Sequence, residues 1–72
     1  MTNYSPDNSR VVAKWRKNKK IYCAFIDNTI VEYGLHKIPK RYAKVDRFYL
    51  HEIISRLKSG RMKFNDLNTK EF

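Results

Sequence analysis

The sequence predicts an α+β fold: a small three-stranded antiparallel sheet followed by one packed helix, in the order β-β-β-α, with room for a short fourth strand at the C-terminus. Three observations carry this expectation. Residues 21–26, Ile-Tyr-Cys-Ala-Phe-Ile, and residues 29–35 are rich in β-branched and aromatic side chains and are separated by Asp27-Asn28. Residues 11–16 alternate Val11, Ala13 and Trp15 with Val12, Lys14 and Arg16. Leu50, Ile53, Ile54 and Leu57 recur at the i, i+3, i+4, i+7 spacing of one buried helical stripe.

Each element has its own punctuation. Residues 1–9, with Pro6 among Asn, Ser and Asp, read as a polar, flexible lead. Asn18 tolerates the positive φ that a hairpin turn needs, so residues 17–20 join the first two strands. A two-residue loop at Asp27-Asn28 pairs Phe25 with Ile30, Ala24 with Val31 and Tyr22 with Tyr33. Tyr22, Ala24, Ile26, Val31, Tyr33 and Leu35 then share the core face, and the other face stays free for a partner. Pro39 excludes a helix through Ile38, leaving residues 37–44 as a basic connector. Asp46 is placed as the helix N-cap, with Tyr49 extending the buried stripe. Gly60 stands where a left-handed C-terminal cap belongs, and Arg56, Lys58 and Arg61 suit the negative end of the helix dipole. Met62 and Phe64 alternate with Arg61 and Lys63, the pattern of a short added strand or of a tail packing back on the core. Residues 10–64 thus form one basic domain, and residues 65–72 a polar tail.

At 72 residues the chain is one small domain. Cys23 is the only cysteine, so no intramolecular disulfide forms, and as a strand residue it reads as a small buried hydrophobe. The missing staples favour a reducing compartment, and no run approaches the roughly 18 apolar residues that span a bilayer. A cytoplasmic location follows, or a nuclear one. His36 and His51 read as surface histidines, and one Cys with two His cannot close a structural zinc site. With two glycines there is no phosphate-cradling loop, and Asp27 and Glu32 make no acid–base pair. The expectation is a non-enzyme without metal or cofactor.

Sixteen Lys and Arg face seven Asp and Glu, a net charge of +9 that points to a polyanionic partner. The cations gather in two clusters. Lys14, Arg16, Lys17, Lys19 and Lys20 surround the first hairpin, and Lys37, Lys40, Arg41, Lys44 and Arg47 lie between sheet and helix. Trp15, Tyr22, Tyr33 and Tyr42 interleave with them. Lysine and arginine neutralise phosphates, and aromatic faces stack on bases. Nucleic acid, DNA or RNA, is therefore the expected partner of an accessory or regulatory protein. The expected contacts are Lys14, Trp15, Arg16, Lys17, Lys19, Lys20, Tyr22, Lys37, Lys40, Arg41, Lys44 and Arg47.

Three strands then a helix, with residues 21–34 as the central hairpin, resembles the arm-binding domains of tyrosine-type phage integrases and AP2-like DNA-binding domains. That resemblance implies a sheet lying in the major groove and would implicate Lys14, Arg16 and Tyr22 or Phe25. The alternative expectation is a phage- or plasmid-type accessory protein that inhibits or adapts a host protein through its sheet face or edge. A free edge would also permit a homodimer. Membrane-surface binding by the amphipathic helix is disfavoured, because its apolar stripe is needed for the core.

Overall fold

The structure, a computed structural model, describes residues 4–72; the first three residues of the expected lead lie outside the described residues. The sheet has five strands, not three. They are β1 (Val11–Lys17), β2 (Lys20–Phe25), β3 (Thr29–Tyr33), β4 (Pro39–Lys44) and β5 (Lys70–Glu71), antiparallel and in sequential order across the sheet. One helix, α1 (Leu50–Ser59), packs on it. The α+β class stands; the three-strand count does not.

The two additional strands arise where local signal is weak. In β4 the charges of Lys40, Arg41 and Lys44 mask a period-two pattern in which Arg41 and Ala43 share one face with Glu32 and Ile30. Pro39 sits at the first position of β4, where a missing N–H is tolerated. β5 is two exposed residues, Lys70 opposite Tyr42 and Glu71 opposite Arg41, continued by Phe72 N–H donating to the Lys40 carbonyl at 3.2 Å. Of the two readings of Met62 and Phe64, the added strand is absent and the tail packed on the core is present: Phe64–Asp66 is a 3₁₀ turn whose Phe64 enters the core, with Met62 packed against it.

The β2–β3 loop decides the faces. It holds three residues, Ile26, Asp27 and Asn28, rather than two. Asn28 N–H donates to the Phe25 carbonyl at 3.0 Å, Asn28 takes a left-handed φ of 65°, and Thr29 N–H donates to Asp27 Oδ1 at 3.1 Å. One extra loop residue shifts the pairing by one: Ala24 faces Ile30, Cys23 faces Val31, Tyr22 faces Glu32 and Ile21 faces Tyr33. Tyr22 and Ala24 point to the helix as expected, but Ile30 and Glu32 replace Val31 and Tyr33 on that face.

α1 buries Leu50, Ile54 and Leu57 against Ala24, Ile30, Ala43 and Phe64. Its start corrects the expected N-cap. Asp46 Oδ1 accepts from Phe48 N–H and its carbonyl from Tyr49 N–H, both at 2.9 Å, so Asp46 closes a turn first and the helix begins at Leu50. Tyr49 is exposed rather than part of the stripe. Gly60 does cap the other end, with φ 84°.

The second sheet face is closed, not free. Cys23, Phe25, Val31 and Tyr33 are at most 1% exposed, although no helix covers them. Tyr4 lies edge-on to Phe25 with ring centroids 5.0 Å apart and touches Phe72, which packs on Tyr42 at 4.9 Å. The Tyr4 carbonyl accepts from the Tyr33 hydroxyl at 2.5 Å, and the Tyr4 hydroxyl donates to Asp27 Oδ2 at 2.6 Å. Burial pushes the Cys23 thiol above its ordinary range, in keeping with a packing role. Tyr4→Ala is expected to cost about 2 kcal/mol, given the packing and hydrogen bonds removed. A lowered urea midpoint, followed by Trp15 fluorescence, checks it; an unchanged midpoint refutes the strap.

Candidate nucleic-acid interface

The meander places the β1–β2 turn and the β3–β4 turn at one end of the sheet. The C-terminus of α1 comes to the same end, because Lys17 Nζ donates to the Leu57 carbonyl at 3.1 Å. There an open groove of about 330 Å³ is lined by Trp15, Lys17, Asn18, Lys20 and Tyr22 from the first hairpin. Glu32 and Arg41 form part of its lining, and Leu57, Gly60, Met62, Lys63, Phe64 and Asn65 complete it.

The aromatic rings build one wall. Trp15 stacks on Tyr22 (5.8 Å, 16°), and Tyr22 leans on Phe64 (5.4 Å, 55°). Lys58 Nζ lies 5.9 Å from the Trp15 ring centre, and Arg41 lies 5.4 Å from that of Phe64. These rings are held in place by one another rather than held out to solvent.

Beneath them is a buried carboxylate. Glu32, 2% exposed, accepts from Arg41 Nε at 2.9 Å, Arg41 Nη2 at 3.1 Å and the Tyr22 hydroxyl at 3.0 Å, with Lys20 Nζ at 3.6 Å. Burial alone would raise its pKa, but Arg41, Tyr22 and Lys20 together outweigh burial and hold it below the usual carboxylate range. Burial and the hydrogen bond to that carboxylate push the Tyr22 phenol up to about 12. Arg41 Nη1 donates onward to Asn65 Oδ1 at 2.5 Å, tying the C-terminal turn to the floor. Lys17, Lys20, Arg41 and Lys63 thus stand around a single, already partnered acid, and the lining is net cationic.

The twelve expected contacts divide. Trp15, Lys17, Lys20, Tyr22 and Arg41 line the groove, and Lys19 stands at the turn beside it with φ 65°. Lys14, Arg16, Lys40 and Lys44 alternate onto the opposite face, and Lys37 lies in the β3–β4 turn. Arg47 is at the other end, over the Phe48 ring at 5.1 Å. Strand alternation splits both clusters, which a linear count of charges does not show. Two lysines absent from the expected set stand here: Lys63, after α1, lines the groove, and Lys58, in the last turn of α1, lies beside it over Trp15. The sequence had marked Lys58 only for the helix dipole and Lys63 only as part of the 61–64 alternation. With Phe25 buried, Tyr22 turned toward the helix and five strands present, the layout behind the integrase and AP2 resemblance is not the one observed.

Among the described residues no group of three or more metal-binding side chains gathers, and no helix is long and apolar enough to cross a membrane. Comparison with known protein families, curated proteins and solved structures finds no match to this chain. Fold and site together define a small antiparallel α+β domain with a cation-rich end.

Proposed function

We propose that this protein binds nucleic acid by seating the phosphate backbone at its cation-rich end. The observation behind this reading is the groove itself. It gathers cations from both sequence clusters and from the chain after α1, around one carboxylate that Arg41 already holds. Lys19, Lys58 and Arg61 are exposed and extend the positive surface beyond the groove. Because Trp15, Tyr22 and Phe64 pack on one another, the mode is electrostatic capture of the backbone rather than base reading.

The test is fluorescence anisotropy with single- and double-stranded DNA and RNA of several sequences across a salt series. Affinity is expected to fall steeply with salt and to differ little between sequences of one polymer class. Absence of binding at low salt, or salt-insensitive binding, overturns the reading.

Lys19 supplies a finer check. Asn18 and Lys19 both take positive φ, 52° and 65°, the geometry of a type I′ turn that favours Asn-Gly. Lys19→Gly is expected to stabilise the fold by about 0.5–1 kcal/mol while weakening nucleic-acid binding, since the turn relaxes and a cation leaves. Thermal melts and anisotropy on the same sample read both effects.

A second reading, a protein partner, has one observation in its favour. β1 is an edge strand whose outer side is unpaired in the sheet, and Val12 is 45% exposed there. Lys14, Arg16 and Lys17 on that edge oppose pairing with a second copy and suit an acidic extended segment. Recovery of a defined partner after nuclease treatment, without nucleic-acid affinity, would favour it.

A further inference from the structure

We infer that Lys14 and Lys37 form a phosphate site on the second sheet face, which Asp7 of the same chain occupies and a nucleic-acid backbone displaces. This rests on the nucleic-acid reading proposed above, but concerns a face the groove does not include.

The geometry is that of a bridged anion. Lys14 Nζ stands 3.6 Å from Asp7 Oδ1, and Lys37 Nζ stands 3.6 Å from Asp7 Oδ2. Lys14 comes from the middle of β1 and Lys37 from the β3–β4 turn, one from each sequence cluster, and a single carboxylate links them. A backbone phosphodiester presents the same pair of anionic oxygens sharing one charge and adds like-charged neighbours along the polymer, so it is the natural competitor for two ammonium groups so arranged.

Asp7 is presented by a built turn. Asn8 N–H donates to the Ser5 carbonyl at 3.0 Å, with Pro6 and Asp7 at the central positions. Pro6 is buried, and Tyr4 anchors the turn on one side through Phe25, Tyr33 and Asp27. On the other side Arg10 N–H donates to Asn8 Oδ1 and Val11 N–H to the Asn8 carbonyl, leading into β1. The carboxylate is therefore held at the apex, in front of the two lysines.

The ion pairs themselves are weak enough to exchange. The Asp7 side chain is 69% exposed, and those of Lys14 and Lys37 are 41% and 52% exposed. Solvent screens such pairs, whereas a polyanion releases counterions when it takes the lysines over. The Ser5–Asn8 turn then acts as a mask in cis: it holds two cations on one carboxylate, offsetting one of their two charges, until a polymer with closely spaced phosphates arrives.

Asp7→Asn tests this, since it removes the charge and keeps the size. Asp46→Asn is the control: it makes the same charge change at the opposite end and still accepts from Phe48 N–H. Asp7→Asn is expected to tighten nucleic-acid binding about fivefold at moderate salt and to steepen the log–log salt slope by about one. Asp46→Asn is expected to change affinity by less than about twofold. Lys14→Gln or Lys37→Gln in the Asp7→Asn background should return affinity and slope to the parent values. If Asp7→Asn behaves like Asp46→Asn while groove charge reversal still abolishes binding, the masked site is refuted and the groove reading survives. If no variant binds at low salt, both fall.

Discussion

Reversing Lys19, Lys58 and Lys63 to glutamate is expected to weaken nucleic-acid binding at least about 100-fold near 0.1 M salt and to flatten the salt slope by about three. The three are exposed, and they come from the β1–β2 turn, the last turn of α1 and the groove rim. Each reversal replaces a phosphate partner with a repelling charge. Lys17, Lys20 and Arg41 are better left alone in such a test, because Lys17 donates to the Leu57 carbonyl and the other two hold Glu32. The control reverses two cations away from the groove, Lys44 and Arg47, at the far end of β4 and beyond it, and is compared per reversed charge. These cations are absent from the groove, so their reversal should act only through net charge and cost far less. Equal losses per reversed charge from the two sets would mean that charge alone, without the groove, sets affinity.

Replacing Arg41 by alanine is expected to cost about 3–5 kcal/mol, which would unfold much of a domain this small. The cost lies less in the lost ion pair than in what it leaves behind. Glu32, 2% exposed at the centre of the sheet, would keep only the Tyr22 hydroxyl and the more distant Lys20. Two outcomes separate this account from simple loss of packing. Replacing Glu32 and Arg41 together by leucine should recover most of the stability, because no buried charge is then orphaned. The pH dependence should also follow Glu32. Its folded pKa is depressed, so its contribution is complete above the unfolded carboxylate value, about 4.3, and is lost as pH falls through the folded value. Asp27 acts in the same direction: burial raises its pKa, but the Tyr4 hydroxyl and the Thr29 side chain and N–H outweigh it. Thermal melts from pH 7 down to pH 3 should show stability falling at the acid end, with a shallower fall in Glu32→Gln. An identical acid limb in that variant would refute the assignment.

Elements with a strong local period were legible in the sequence. Residues 21–25 and the stripe Leu50, Ile54, Leu57 pack apolar surface at a fixed repeat, whereas Ile26 falls in the loop and is exposed; Asn18 and Gly60 occupy the positive-φ positions their residue types suit. Elements whose identity depends on a distant partner were not. β4 is a strand because β3 pairs with it, and Lys70–Glu71 is a strand because β4 offers it an edge. The faces of β3 turned on a single loop residue, which no periodicity within β3 could reveal. Nothing local to Glu32 marked it as buried; Arg41, nine positions later and in a segment read as a connector, makes its burial tolerable.

The same division runs through the candidate site. By itself, the sequence determined an α+β class, a helix capped by Gly60 and a large positive charge held in two clusters, since these follow from composition, period and local backbone preference. Only the tertiary structure decided how that charge is distributed over the surface. Side chains alternate across a strand, so each cluster was divided between two faces. The sheet then brought Lys17 and Lys20 of one cluster and Arg41 of the other together with the end of α1, and Asp7 paired with Lys14 and Lys37 on the far side.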